Sequence, residues 1–86
     1  MTRTELAYRA ERANKLANQA RVDLARCNQV QDYTYAETYN REALRWRTKH
    51  AELSARLCEL DGLYSEACTW QRLAAECKRE RRKLYV

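Results

Sequence analysis

The fold is decided by one stretch of the chain, residues 36–63, which read AETYNREALRWRTKHAELSARLCELDGL. Apolar or aromatic side chains recur there every three or four positions, which is typical of one face of an α-helix. Asp61-Gly62 then supplies the one sharp turn signal, because the sequence has a single glycine and no proline. The stretch therefore predicts a long helix followed by a tight turn. Its stripe is Ala36, Tyr39, Ala43, Trp46, His50, Leu53, Leu57 and Leu60.

The flanking segments carry the same rhythm, which predicts two further helices. Capping-box spacing at Thr2 and Glu5, and again at Thr34 and Glu37, indicates where the first two helices begin. Short connections favour antiparallel neighbours, so we expect an all-α, antiparallel three-helix bundle in one domain, residues 1–86. The helices are expected over about residues 3–29, 34–60 and 63–84, and a break of the second near Thr48 stays open. The outer stripes are Leu6, Ala10, Ala13, Ala17, Ala20, Leu24 and Cys27, then Leu63, Ala67, Trp70, Ala74, Cys77, Arg81 and Leu84.

Length and composition limit where the protein works. The chain has 86 residues, and no stretch approaches the ~20 apolar residues of a membrane span. The first twelve residues carry charges instead of a signal-peptide apolar run. We therefore expect a cytoplasmic protein that binds no membrane and has four reduced cysteines. Cys58 and Cys68 flank the turn, and whether they can pair stays open.

An internal repeat appears when the chain is shifted by 31 residues. Residues 33–43 then align with residues 64–74, and five of the eleven positions are identical. The pattern resembles the junction of a tetratricopeptide-type helical hairpin over about residues 20–84. The resemblance implies stacked helical hairpins as an alternative fold, and a protein-binding scaffold without catalysis. Its matching residues are Gly62, Tyr64, Ala67 and Ala74.

Sequence motifs for catalysis, cofactors and metals are missing from the chain. His50, the one histidine, lies on the apolar stripe, so it is expected to be a hydrogen-bonded core or interface residue and not a base. The gaps between the four cysteines are 30, 9 and 8 residues, which is not zinc-site spacing. No glycine-rich phosphate loop occurs. The sequence thus predicts a protein that is not an enzyme and holds no cofactor or metal.

Positive charge is the most informative feature of the sequence. The chain has 17 basic and 12 acidic residues, and thirteen of the basic residues are arginine. Five of the six residues in 78–83 are basic, and Arg41, Arg45 and Arg47 cluster on the second helix. Arginine suits bidentate contacts with carboxylates or phosphates, although basic residues in a last helical turn also simply oppose the helix dipole. The candidate partner-binding residues are Arg41, Arg45, Arg72, Arg79, Arg82 and Lys83.

The leading hypothesis for function is a small, non-enzymatic protein–protein interaction module. It would act as an adaptor or inhibitor that binds the acidic surface of a larger protein complex through an arginine-rich helical face. Proteins of this size include inhibitors that mobile genetic elements encode against host defence complexes such as CRISPR. One alternative is a basic nucleic-acid-binding protein that contacts phosphates with the same arginines. Another is a coiled-coil structural protein that associates with copies of itself as a homo-oligomer.

Overall fold

The structure is a computed structural model that describes residues 1–84. It consists of three helices joined by two short connections. They are α1 (Arg3–Val30), α2 (Ala36–Leu60) and α3 (Tyr64–Lys83), with 28, 25 and 20 residues. The predicted all-α, three-helix fold is thus confirmed, with helix ends within two residues of those expected. α2 runs unbroken through Thr48, whose hydroxyl donates to the Leu44 carbonyl at 2.8 Å and so needs no outside partner. Within residues 1–84, no helix has an apolar stretch long enough to cross a membrane.

The connection between α1 and α2 is longer than its sequence suggests, because α2 begins later along the chain. α1 starts as predicted, since Thr2 Oγ1 accepts a hydrogen bond from the Glu5 amide at 3.2 Å. The predicted cap of α2 at Thr34 is wrong, because α2 begins at Ala36 after Tyr35. Asp32 Oδ1 accepts from both the Thr34 amide (3.2 Å) and the Thr34 hydroxyl (2.7 Å), which holds Thr34 in the turn. The hydroxyl bond also lowers the pKa of Asp32.

The connection between α2 and α3 is the tight turn that the sequence predicts. Gly62 has a φ of 77°, a left-handed conformation that favours glycine. The Gly62 amide donates to the Glu59 carbonyl at 3.1 Å, and the Leu63 amide donates to the Cys58 carbonyl at 2.8 Å. These bonds satisfy the last carbonyls of α2 and let α3 start two residues after the glycine.

α2 is the central helix of an antiparallel arrangement. It packs against both neighbours, whereas the described α1 and α3 have no pair of Cα atoms within 8 Å of each other. The start of α1 meets the end of α2, where Arg3 Nη2 lies 2.9 Å from Asp61 Oδ2. On the other side, Lys78 of α3 pairs with Glu52 of α2 at 3.2 Å. The outer helices are therefore held mainly through α2.

The two seams are lined mostly by small side chains, which let the helices approach closely. The predicted stripe of α1 is buried from Leu6 to Ala20. On α2 the prediction captured one buried face and missed another, because a helix with a neighbour on each side buries two faces. The second buried face contains Thr48, Ala51 and Ala55, and their small or polar side chains do not stand out in an apolar pattern. Leu60, expected on the stripe of α2, and Leu63, expected on that of α3, are exposed. The buried residues of α2 and α3 are Ala43, Thr48, Ala51, Leu53, Ser54, Ala55, Ala67, Ala74 and Cys77.

Candidate functional site

The outer face of α3 carries three exposed arginines, Arg72, Arg79 and Arg82, here called the arginine ridge. Their spacing of seven and three residues keeps them on one side of the helix, over about 15 Å at 1.5 Å per residue. With Ala75, Glu76 and Lys78 they line a surface cleft of about 430 Å³. The ridge is therefore a compact, solvent-facing row of guanidinium groups.

The arginine ridge makes no ion pair with the part of the chain that the structure describes. Over residues 1–84, none of its three arginines has an ion-pair partner within 4.0 Å. Neighbouring lysines differ, since Lys78 pairs with Glu52 at 3.2 Å and Lys83 lies 3.8 Å from Glu80. Exposed guanidinium groups of this kind are available to a carboxylate or phosphate without first breaking an internal pair.

A groove between α2 and α3 extends the ridge toward the carboxyl end of α3. It has a volume of about 590 Å³, and Arg79 lines both this groove and the cleft of the ridge. Arg47 of α2 and Lys83 of α3 also line the groove, so they lie beside the ridge. Arg47 was absent from the predicted set, although it stood in the Arg41–Arg47 cluster. Successive helical residues turn by 100°, so a cluster in sequence spreads around the helix and only one of these arginines faces this groove.

Arg41 and Arg45, the other two predicted residues, are engaged in contacts within the molecule. Arg41 pairs with Glu37 and donates to the Leu84 carbonyl at 3.4 Å. The Arg45 guanidinium lies over the Trp46 ring, 5.3 Å from its centroid, and 3.8 Å from Glu42. The structure thus brings Arg72, Arg79, Arg82 and Lys83 together on α3. It leaves Arg45 in contacts within α2 and joins Arg41 of α2 to the end of α3 at Leu84.

His50 connects all three helices and confirms the prediction of a hydrogen-bonded interface residue. Its Nδ1 lies 3.0 Å from the Ala10 carbonyl of α1, and because a carbonyl only accepts, Nδ1 carries the hydrogen. Its ring meets the Trp70 ring of α3 edge to face, with centroids 5.3 Å apart. A half-buried histidine with these contacts positions the outer helices against α2.

Metal ligands and paired thiols do not define a site in the described residues. Between residues 1 and 84, no group of three His, Cys, Asp or Glu side chains is placed to hold a metal ion. Cys27, Cys58, Cys68 and Cys77 are free thiols, of which only Cys68 is exposed. No protein-family model, curated protein or solved structure matches the chain. Its function is therefore inferred from the charge and contacts of its own residues.

Proposed function

We propose that the protein is a small, non-enzymatic interaction module, an adaptor or inhibitor, that binds an acidic protein surface through the arginine ridge. One observation carries the proposal: Arg72, Arg79 and Arg82 lie in a row on α3, exposed and without an ion-pair partner within 4.0 Å among residues 1–84. Arginine side chains of this kind make bidentate bonds with carboxylates, and they are enriched at protein interfaces.

The carboxylates beside the ridge favour a protein partner over nucleic acid. Glu76 lines both the cleft and the groove, and Glu80 lines the groove, so negative charge alternates with positive charge along this face. A phosphate backbone is uniformly negative and would be repelled at both glutamates. A protein surface can place carboxylates against the arginines and a lysine or arginine against Glu76, which supports an acidic but mixed protein surface as the partner.

The contacts of α3 with α2 support a ridge that is rigid before it binds. Ala67, Ala74 and Cys77 are buried on the opposite face of α3. The Gln71 amide donates to Glu59 Oε1 at 2.8 Å, which adds a cross-helix contact to the Lys78–Glu52 pair. A pre-organised surface loses less conformational entropy on binding than a mobile one. Such a scaffold suits an adaptor or inhibitor better than a disordered basic tail would.

The wider setting of the proposal follows from size and thiol chemistry. We place the protein in the cytoplasm, where the exposed Cys68 thiol would stay reduced. A chain of 86 residues has a suitable size for an inhibitor of a larger cytoplasmic complex. Host defence complexes such as CRISPR are one class of such targets. The resemblance to tetratricopeptide-type hairpins stays a prediction, which agrees with a protein-binding scaffold.

A charge-reversal experiment tests the proposal. The ridge variant is Arg72→Glu/Arg79→Glu/Arg82→Glu, and its matched control is Arg9→Glu/Arg12→Glu/Arg21→Glu, which replaces three exposed arginines of α1. Both change the net charge equally and replace only exposed side chains, so circular dichroism should show wild-type helicity. Each protein is immobilised, and the proteins that it captures from a nuclease-treated lysate are quantified by mass spectrometry.

The expected result is that wild type and the α1 control capture the same partner, whereas the ridge variant loses it. Equal capture by all three proteins would contradict a binding role for the ridge. Equal loss in both variants would show that only net charge matters. Capture by wild type from an untreated lysate but not from the nuclease-treated one would replace the protein partner by nucleic acid.

A further inference from the structure

The arginine ridge follows the residue spacing of a coiled-coil seam. Arg72, Ala75, Arg79 and Arg82 are separated by three, four and three residues, and all four are exposed. A helix with this alternation presents a single line of side chains to a partner helix. The buried residues of α3 lie on another face, against α2. The row is therefore an unpartnered helix face with the period that helix pairs use.

The middle of the row is open because Ala75 is small. Ala75 lines the cleft of about 430 Å³ together with the three arginines of the ridge. Small side chains let a second helix approach closely, and the long apolar stems of arginine can lie along its sides. The face thus combines close approach at Ala75 with positive charge at Arg72 on one side of it and at Arg79 and Arg82 on the other.

The distances along α3 match a helical partner better than an extended one. Arg72 and Arg79 are seven residues apart, which is about 10.5 Å along the helix axis. Carboxylates seven residues apart on a second helix repeat at this same distance. In an extended strand the side chains of one face recur every two residues, so carboxylates fall about 7 or about 14 Å apart. The spacing therefore favours a helix as the element that meets both arginines in register.

Charge determines which kind of helix is complementary to the row. Its three arginines make no ion pair within 4.0 Å among residues 1–84, so each can bind a carboxylate directly. The same row of a second copy would set arginine against arginine, which is repulsive. An acidic helix of another protein is the occupant that matches both the spacing and the charge.

A different surface lies at the turn between α2 and α3. All three helices contribute to a groove of about 590 Å³ there, here called the turn groove, and exposed apolar side chains and charges of both signs line it. Among the described residues that line it, none belongs to the ridge. The ridge and the turn groove are therefore separate sets of residues. The lining of the turn groove includes Leu6, Arg56, Glu59, Leu60, Tyr64 and Cys68.

We propose that the partner of the ridge presents an acidic α-helix, which packs lengthwise along the row from Arg72 to Arg82. Two carboxylates seven residues apart bind Arg72 and Arg79, and a third, one turn further along, binds Arg82. A small side chain of the partner helix lies over Ala75. Glu76, beside the row, faces a basic residue of the partner, which fixes the register. The inference rests on the proposed function, because it names the form of the partner that the ridge binds.

Three synthetic peptides and a matched pair of substitutions test the inference. The probe is a capped peptide of about 21 residues, six helical turns, with glutamate in a three-and-four spacing along one face and alanine between. The second peptide has the same composition with its glutamates spread around the helix, and the third is the probe with a central proline, which breaks the helix. Ala75→Gln and Ala25→Gln make the same uncharged change at exposed positions of α3 and α1. Fluorescence anisotropy at low salt measures the affinity of each labelled peptide.

Wild type should bind the probe about tenfold more tightly than either control peptide, because two or three exposed ion pairs depend on the register. Ala75→Gln should weaken binding of the probe several-fold, since its larger side chain keeps the helix away, while Ala25→Gln should bind as wild type does. Equal affinity for the three peptides, or equal affinity of the two variants, would overturn the helical partner. Stronger binding of a DNA duplex than of the probe would overturn it in favour of phosphate.

The ridge variant Arg72→Glu/Arg79→Glu/Arg82→Glu separates this inference from the proposed function. If that variant loses the partner captured from lysate while wild type binds the three peptides equally or not at all, the ridge binds an acidic partner that is not a helix. If the variant keeps both the captured partner and the probe, the inference and the proposed function are both contradicted.

Discussion

The arginine ridge and the turn groove lie on the same molecule and use opposite chemistry. The ridge is one face of one helix, with three exposed arginines that have no ion-pair partner in the described chain. The turn groove is built by three helices and carries exposed leucine and tyrosine side chains beside charges of both signs. Charged surfaces steer association and are sensitive to salt, whereas apolar ones contribute affinity that salt does not screen. We propose on this basis that the two surfaces act separately and do not form one extended surface.

The two surfaces also differ in how much tertiary structure they need. The ridge requires only that α3 be helical, because its residues follow a single helical period. The turn groove requires α1, α2 and α3 to be packed together at the Gly62 turn. Loss of packing near the start of α1 should therefore damage the groove more than the ridge.

The largest effect is expected from a cavity in the core between α1 and α2. Leu53 is buried with Leu6 and Ala10, and Leu57 packs against them. Leu53→Ala should lower the free energy of unfolding by about 2–5 kcal/mol, because it removes buried methyl groups and leaves a cavity. The half-buried Leu44, which lines the α2–α3 groove, is the control, and Leu44→Ala should cost less. Urea unfolding measures both, and equal midpoints for Leu53→Ala and wild type would show that this cluster does not hold α1 in place.

The second prediction, of intermediate size, distinguishes the two surfaces by their response to salt. Each exposed ion pair made by the ridge contributes roughly 0.2–1 kcal/mol and weakens as salt is added. Retention of the captured partner should therefore fall between 0.05 and 1 M NaCl, whereas a partner held at the turn groove would stay bound. Retention that stays constant over this range would place the partner on the turn groove and contradict the assignment of the ridge.

The smallest effect concerns the Arg3–Asp61 pair beside the turn groove. The hydrogen bond from Arg3 holds the pKa of Asp61 below its ordinary value of about 3.9. A carboxyl with a lowered pKa in the folded state stabilises the fold above its ordinary pKa, and the contribution is lost as pH falls through the folded value. Wild type should thus lose stability below about pH 4 relative to Asp61→Asn.

Arg3→Gln should remove the same acid sensitivity as Asp61→Asn, because either substitution removes the pair. Urea unfolding of the three proteins between pH 6 and pH 2 measures the effect. A constant difference between wild type and Asp61→Asn over this range would show that the pair does not form in solution.

The sequence predicted those parts of the structure that a single helical period determines. The stripe of α1 from Leu6 to Ala20 is buried as expected, and the turn at Gly62 lies where its residues place it. Arg72, Arg79 and Arg82 lie off the predicted stripe of α3 and are exposed, while their role in binding stays a prediction. Local pattern is sufficient here because each of these features belongs to one helix or one turn.

Features that depend on neighbouring helices could not be predicted in this way. Thr48 and Ser54 are buried on α2, although polar residues do not stand out in an apolar stripe. Asp32 takes both hydrogen bonds of Thr34, which the capping-box spacing did not reveal. The turn groove combines residues 1–6 with residues 56–71. The internal contacts of Arg41 with Glu37 and Leu84, and of Arg45 with Glu42 and Trp46, likewise depend on the folded helices.

Arginine-specific modification of the bound complex measures most directly which surface the partner covers. The protein, alone and with its captured partner, is treated with phenylglyoxal, and the modification of each arginine is quantified by peptide mass spectrometry. Arg72, Arg79 and Arg82 should be protected in the complex, while Arg9, Arg12 and Arg21 on α1 should react as in the free protein. Protection of the α1 arginines with full reactivity of the ridge would contradict the assignment of α3 as the binding surface.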